Sequence, residues 1–479
     1  MKTILYRLFQ SLLLTGSVGV SAQTIVFEKA YPGPGIDVGR SIAEAPDSSL
    51  IVISSTTTNT SGLADIVVTK FSASGTELWS LMNGGFNNDI ANAGIVLADG
   101  STVAVGFTGS FTSTPSRDVY LIKVDPQGNL VWTRSYGGSG TDEGMDLKQT
   151  ADGGFIITGF TASYGAGAED VWLIKTDSLG VKEWDKTFGS AYDDDARGVA
   201  LAADGGFILT GGTNGPSGGT QEDLWLIKTD SLGVEEWNRS FGTAGQDWGW
   251  DVAVAPDGYV AVGTRNYTLG TSAQFTGEAY FMKVDLQGSL LWDQSIVNSM
   301  GSQAICLTPA RQGGWYFGGI KWTSGLTSDF WLVKADSNGV LLWEKALGTI
   351  PYANMAVDLI QTRNGDVAAT GFSGFSPGSN ENLHLVRLSD NNVNLPEASL
   401  LKAVVVSPNP CHEQLNIYFP QPNGRATLEL RNTSGSLICS QRWRGEESLR
   451  FNLAEQPAGL YFLMLQTESS REVHKIVKY

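Results

Sequence analysis

Acid–base or nucleophilic chemistry would have to come from very few groups in this 479-residue chain. It contains three histidines, His384, His412 and His474, and three cysteines, Cys306, Cys411 and Cys439. A Ser-His-Asp triad, a Cys-His pair or a His-rich zinc site each needs an imidazole beside its partners. Two of the three histidines stand after residue 400, and His384 takes a strand position that other segments fill with Val67, Tyr120, Trp172, Trp225, Tyr280 and Trp331. That position reads as packing. Carboxylates are abundant, 49 Asp and Glu, and a tuned pair would serve a glycosidase or lyase, although sequence does not show which two converge. No cofactor is expected otherwise, except that Asp193, Asp194 and Asp195 together could bind Ca²⁺. Trp248 and Trp250 flank Gly249; they could stack on a sugar ring or a partner side chain, or simply pack. No phosphate-binding glycine loop stands between a strand and a helix.

The elements that would position these groups come from a repeat. A basic residue closes an apolar run at Lys70, Lys123, Lys175, Lys228, Lys283, Lys334 and Arg387, at spacings of 53, 52, 53, 55, 51 and 53. Two neighbouring copies, DVWLIKTDSLGVKEW from Asp170 and DLWLIKTDSLGVEEW from Asp223, are nearly identical. Each unit holds four short runs rich in Val, Ile and aromatics, bounded by turn residues; one reads DVAVAPDG, YVAVGTRN, AYFMKVD and SLLWDQSI between Asp251 and Ile296. Such runs are strands. Asp99-Gly100, Asp152-Gly153, Asp204-Gly205, Asp257-Gly258 and Asn364-Gly365 supply turn residues that accept positive φ. Four strands in each of seven units predict an all-β, seven-bladed β-propeller over residues 23–395.

Ring closure is legible in register. Trp79, Trp132, Trp184 and Trp237 precede Asp89, Asp142, Asp194 and Asp247 by ten residues, and Phe27 precedes Asp37 by the same ten. The last unit has Pro396 where Trp292 and Trp343 have their counterparts, so its fourth strand is missing and the N-terminal strand should fill the gap. The repeated Asp suits a structural role, accepting hydrogen bonds within each blade. Three residues after it the chain varies among Arg40, Asn92, Met145, Arg197, Trp250 and Val357. Variation on a fixed scaffold is where recognition sits, which makes Arg40, Arg197, Trp248 and Trp250 candidate ligand contacts. The DxxGxxxW segment, as in Asp125 to Trp132, resembles the tryptophan-docking motif of pyrroloquinoline-quinone dehydrogenases. One residue is missing from the family's spacing, so the resemblance implies blade packing without the quinone.

Residues 1–22 have a basic start (Lys2, Arg7), an apolar middle and Val20-Ser21-Ala22 before Gln23. These are the marks of a secretory signal peptide cleaved between Ala22 and Gln23, and no later stretch is long and apolar enough for a transmembrane helix. Residues 400–479 carry net charge +2, against −21 for residues 23–399. An acidic propeller disfavours nucleic acid as partner. After a linker at 396–402, residues 403–479 read as the strands of a small Ig-like β-sandwich. Their ordered motifs Ser407-Pro408-Asn409-Pro410, Gly459-Leu460-Tyr461 and Lys475-Ile476-Val477-Lys478-Tyr479 resemble the type A C-terminal sorting domain of the type IX secretion system of Bacteroidota. The resemblance implies the type IX machinery as partner, passage across the outer membrane, and a cell-surface or released product. In that oxidising route Cys411 and Cys439 could form a disulfide, or remain two buried thiols. It also makes Asp177-Ser178-Leu179 and Asp230-Ser231-Leu232 candidate O-glycosylation sequences, or plain turns. The expected function is a secreted, non-catalytic propeller binding protein or glycan ligands. Its competitor is an extracellular carbohydrate-active enzyme.

Overall fold

The computed structural model describes residues 23–31, 35–58, 60, 63–112, 115–215, 221–269, 275–324, 327–348, 353–375, 381–390, 405–407, 411–418, 426–432, 436–444, 448–466 and 471–479. The chain divides into two compact units, Met1–Asp390 and Asn391–Tyr479; the expected linker at 396–402 and signal peptide at 1–22 lie outside the described residues. All regular elements among the described residues are strands.

In the first unit the strands form seven four-stranded antiparallel sheets. Blade 1 runs Asp37–Glu44, Leu50–Thr56, Asp65–Phe71 and Glu77–Asn83 in that order. The first strands of successive sheets touch one another around the ring, and the first strand of blade 7, Ala353–Gln361, touches Asp37–Glu44. Second and third strands, such as Leu50–Thr56 and Asp170–Thr176, are buried along their whole length, whereas the fourth, such as Glu77–Asn83, is mostly exposed or half-buried. Neighbouring blades cover the middle strands on both faces, so they read as continuous apolar runs; the outer strand borders water. Core clusters therefore lie between blades, as with Ile156, Leu173, Val199 and Leu209 across blades 3 and 4.

Blade 7 is completed by Thr24–Tyr31, which pairs antiparallel with Asn382–Ser389 and sets Phe27 opposite Arg387. His384 Nε2 stands 3.2 Å from Glu28 Oε1, and its ring meets Phe330 edge-on. A histidine replaces the usual large apolar residue here because the closing strand offers a carboxylate.

The fourth-strand tryptophans lock each blade to the next. A Cβ added at Gly128, Gly180, Gly233, Gly288 or Gly339 would fall 2.6–3.0 Å from the ring of Trp79, Trp132, Trp184, Trp237 or Trp292 respectively. Phe27 does the same at Gly75, 3.0 Å away. Trp343, in blade 6, is buried in the cluster beside Tyr316. In each DxxG turn the Asp carboxylate accepts from the backbone, as Asp177 does from Leu179 and Val181 and Asp230 from Leu232 and Val234. The repeated basic residue is buried and paired: Lys228 Nζ contacts Asp204 at 2.8 Å and Glu236 at 2.7 Å, Lys175, Lys283 and Arg387 likewise meet a turn carboxylate of their own blade, and Lys334 meets Asp390 of the next. Removing an ammonium from water requires such partners.

One turn departs from expectation. Gly100, Gly153, Gly205 and Gly365 have φ near +90°, but Gly258 is not among the positive-φ residues. Ala255 pairs with Gly258 across a two-residue Pro256–Asp257 turn, so Gly258 already belongs to the strand. The first strand of that blade also begins at Gln246 rather than Asp251, and so contains the Trp248–Trp250 pair.

The second unit contains a three-stranded sheet (Val405–Ser407, Gln414–Tyr418, Ser448–Asn452) and a four-stranded sheet ordered Leu437–Trp443, Ala426–Asn432, Gly459–Gln466, Arg471–Lys478. Leu415, Ile417, Leu428, Trp443, Phe451 and Leu463 share its core. Of the two alternatives left open for Cys411 and Cys439, the structure has the free thiols, one buried and one half-buried. Cys411 bridges to Lys478 at one edge of the four-stranded sheet, while Cys439 lies on the strand at the other edge. Four strand spacings, about 19 Å in all, exceed the roughly 7 Å Cα limit of a disulfide. Tyr461 is buried and donates to Pro457 O at 2.7 Å; Lys475 lies opposite Phe462. Pro408, Asn409 and Pro410 are outside the described residues.

Candidate functional site: the mouth of the axial channel

The repeated polar residue stands first or second in each first strand, and its contacts fix the rim. Asp142 Oδ2 accepts from Gly138 N at 2.9 Å and Ser163 Oγ at 2.6 Å, and its Oδ1 accepts from Thr161 Oγ1. The carboxylate thereby ties the loop arriving from the previous blade to the next strand of its own. Asp89, Asp194 and Asp247 do likewise, and Asp37 accepts from Thr56 and Thr58. Ser302 fills the slot in blade 6, bonding Ile296 O and Ala279 N, a substitution the Asp pattern did not show. Asp194 is thus fully engaged, and Asp195 accepts from Arg197 and from Gly212 N. Among the described residues no group of three or more His, Cys, Asp or Glu side chains is arranged to hold a metal ion, so the triple-Asp cation site loses its basis.

The variable position three residues later faces the axis. Arg40, Asn92, Met145, Arg197, Trp250 and Val357, joined by Ile305 from blade 6, line one channel of about 750 Å³. A bulge after the small residue, at Gly39/Ser41, Gly144/Asp146 or Gly249/Asp251, turns these side chains inward. Arg197 is held by three neighbours. Its Nη2 is 2.5 Å from Asp195, and its guanidinium carbon lies 4.6 Å over the Trp250 ring and 5.5 Å over Trp248. The two indoles meet edge-on at 6.4 Å. Trp248 also packs on Tyr267 at 4.8 Å and donates to Glu222 Oε2, while Trp250 Nε1 donates to Thr264 at 3.2 Å. Arg40, across the ring in blade 1, makes no hydrogen bond among the described residues; its Nε and the Nη1 of Arg197 are buried donors without acceptors. Burial lowers the Arg40 pKa, against the pull of Glu381 and Glu143.

Several rim carboxylates escaped the sequence reading. Glu169, Glu222 and Glu381 each precede a third strand. Burial raises all three pKa values; Asp193 and Asp195 add to the effect at Glu169, Asp195 adds at Glu222, and Arg40 opposes it at Glu381. Glu143 is raised by burial despite Arg117 at 2.6 Å. The signal in sequence was faint, one Glu before the third-strand Asp in only some units. The same channel is also lined by Asp146, Lys148, Asp251, Asp358 and Cys306. Asp146 Oδ2 accepts from Val199 N, Asp251 Oδ2 from Leu307 N and Asp358 Oδ2 from Ile42 N, each in the following blade. Alternate blades are stapled by these bonds.

Comparison with known proteins supports two statements. Residues 405–479 match the family of the secretion system C-terminal sorting domain. The protein is therefore exported by the type IX route to the cell surface or beyond. In structure the chain is similar to the WD40 domain of Neurospora crassa Pan2, at TM-score 0.50 and 12% identity over 78% of this chain and 96% of that one; this shows the propeller fold alone. The α-L-arabinofuranosidase of Fusarium graminearum is similar at TM-score 0.40 and 13% identity over 75% of this chain and 98% of that one, too distant to carry chemistry. A curated relative, the regulatory protein FlaEY of Caulobacter vibrioides, is 28% identical over 187 residues, which are 33% of this chain and 19% of the relative. The chain thus spans about a fifth of that relative. No helix among the described residues is long and apolar enough to cross a membrane.

Proposed function

We propose that this exported propeller is a non-catalytic binding module whose ligand, a glycan or a protein, docks at the axial mouth formed by Arg40, Arg197, Trp248 and Trp250. The observation that carries the reading is the guanidinium of Arg197 stacked on two indoles at the wall of a 750 Å³ channel, with one buried N–H each of Arg40 and Arg197 unmatched among the described residues. Aromatic faces and unmet polar groups in one concavity are what a recognition site needs. Binding of the purified protein to a glycan and protein array, lost in Trp248→Ala, tests it; identical array profiles for the two proteins would reject the mouth as the site. Signal cleavage before Gln23 and later removal of residues 403–479 belong to the same reading, and terminal sequencing of the surface form checks both.

A second reading has its own support. Glu169 and Glu222 occupy the same rim position in adjacent blades, and burial raises both, as acid catalysis of glycoside cleavage requires. Turnover of a polysaccharide that disappears in Glu222→Gln would replace the binding reading with this one.

A further inference from the structure

We propose that the ligand is a saccharide chain capped by one carboxylate-bearing sugar, the carboxylate entering between Arg40 and Arg197 and the sugar lying against Trp248. This rests on the binding reading above and names its ligand class. The mouth holds two arginines, each with one buried nitrogen, Nε of Arg40 and Nη1 of Arg197, that has no acceptor among the described residues. Leaving a buried donor unmet costs on the order of 1–3 kcal/mol, and a carboxylate presents two oxygens matched to guanidinium forks.

Charge accounting limits the ligand to one such group. Arg197 already meets Asp195, and Arg117 meets Glu143; Arg40 makes no salt bridge among the described residues and feels Glu381 and Glu143 only at longer range. Glu169, Glu222 and Glu381 ring the same mouth and would repel a polyanion while bonding neutral hydroxyls. The class of chain follows from the surrounding surface. On this rim the exposed large side chains include Phe86 (81% exposed) and Tyr192 (44%), in loops that lead to first strands. Val297, Leu63 and Ile36 are exposed there too, but at the opposite rim the exposed large side chains among the described residues, such as Leu179, Val181, Leu232 and Val234, include no aromatic ring. Flat aromatic faces favour pyranose rings over an apolar peptide anchor.

Calorimetric titration of the full chain decides the matter, using neutral oligosaccharides capped by glucuronic or galacturonic acid, the same oligosaccharides with the carboxyl reduced to alcohol, and polygalacturonate. The acid-capped probes should bind at least about tenfold tighter than their reduced forms, equivalent to about 1.4 kcal/mol, with polygalacturonate no tighter than the reduced probes. Arg40→Met and Arg197→Met should abolish that preference, Trp248→Ala should weaken both probe types alike, and Arg40→Met should unfold at no lower temperature than wild type. Equal binding of acidic and reduced probes, or a preference that survives both arginine changes, overturns the carboxylate assignment and leaves glycan binding standing. Failure of every saccharide to bind, with protein ligands captured on the array at the same mouth, removes the glycan class altogether.

Discussion

Asp251 shows how one carboxyl can set a pH response. Burial in the channel pushes its pKa up to about 7, with Lys148 opposing and Asp146 reinforcing, and Asp358 is likewise raised by burial to about 6. Lys148, the neighbouring cation, is penalised by burial but held above its ordinary pKa by Asp146, Asp251 and Asp358. An unfolded Asp loses its proton near pH 4, so between about pH 4 and 7 the folded chain holds a proton that the unfolded chain has released. Stability from this group is present at low pH and lost as pH rises through that window. Asp251→Asn cannot ionise and keeps one of the two oxygens that accept from Val252 N and Leu307 N, a loss that is the same at every pH. Its advantage over wild type in denaturant unfolding should grow by on the order of 2 kcal/mol from pH 5 to pH 8. A pH-independent difference would show that Asp251 ionises normally. Sequence alone marked none of this, since Asp146, Asp251 and Asp358 recur only in alternate units.

At the scale of the strand and turn, the interlock of Trp with glycine is the joint between blades. Gly233 and Gly205 have similar φ, +74° and +86°, but only Gly233 faces a ring, with Trp184 2.6 Å from a built Cβ; nothing stands within 4 Å at Gly205. Alanine at Gly205 should cost roughly 1–2 kcal/mol from left-handed backbone strain. At Gly233 the displaced indole should add roughly 1–3 kcal/mol. Equal losses in chemical denaturation would mean that the tryptophans cover the turns without bearing on them. The DxxGxxxW spacing made this contact readable in advance, because Asp, Gly and Trp act within one unit and its neighbour. The Asp257-Gly258 turn was misjudged because Pro256 permits a shorter reversal.

For the whole molecule, closure depends on a strand that arrives from the far end of the chain. Deleting Thr24–Tyr31 would expose the edge of Asn382–Ser389 and leave buried His384 without Glu28. The unfolding midpoint should fall by roughly 10 °C, with aggregation through the open edge. An unaltered midpoint in a monomeric protein would show that the ring does not need its clasp. Export belongs to the other unit: a chain ending before residue 403 should accumulate inside the outer membrane, as fractionation and immunoblotting would show, and its appearance in the medium would detach secretion from the sorting domain.

The seven-unit architecture, the missing fourth strand and the sorting tail were all set by the sequence, because period, turn chemistry and ordered motifs are properties of neighbouring residues. Folding in three dimensions decided what the axis contains. Arg40 and Arg197 stand three units apart in sequence yet line one channel, and Glu169 reaches the same mouth from a different loop. Whether Cys411 could meet Cys439 was decided in the same way, by strand order. Period fixes which way each side chain points within its blade; only closing the ring determines which side chains from different blades share a space.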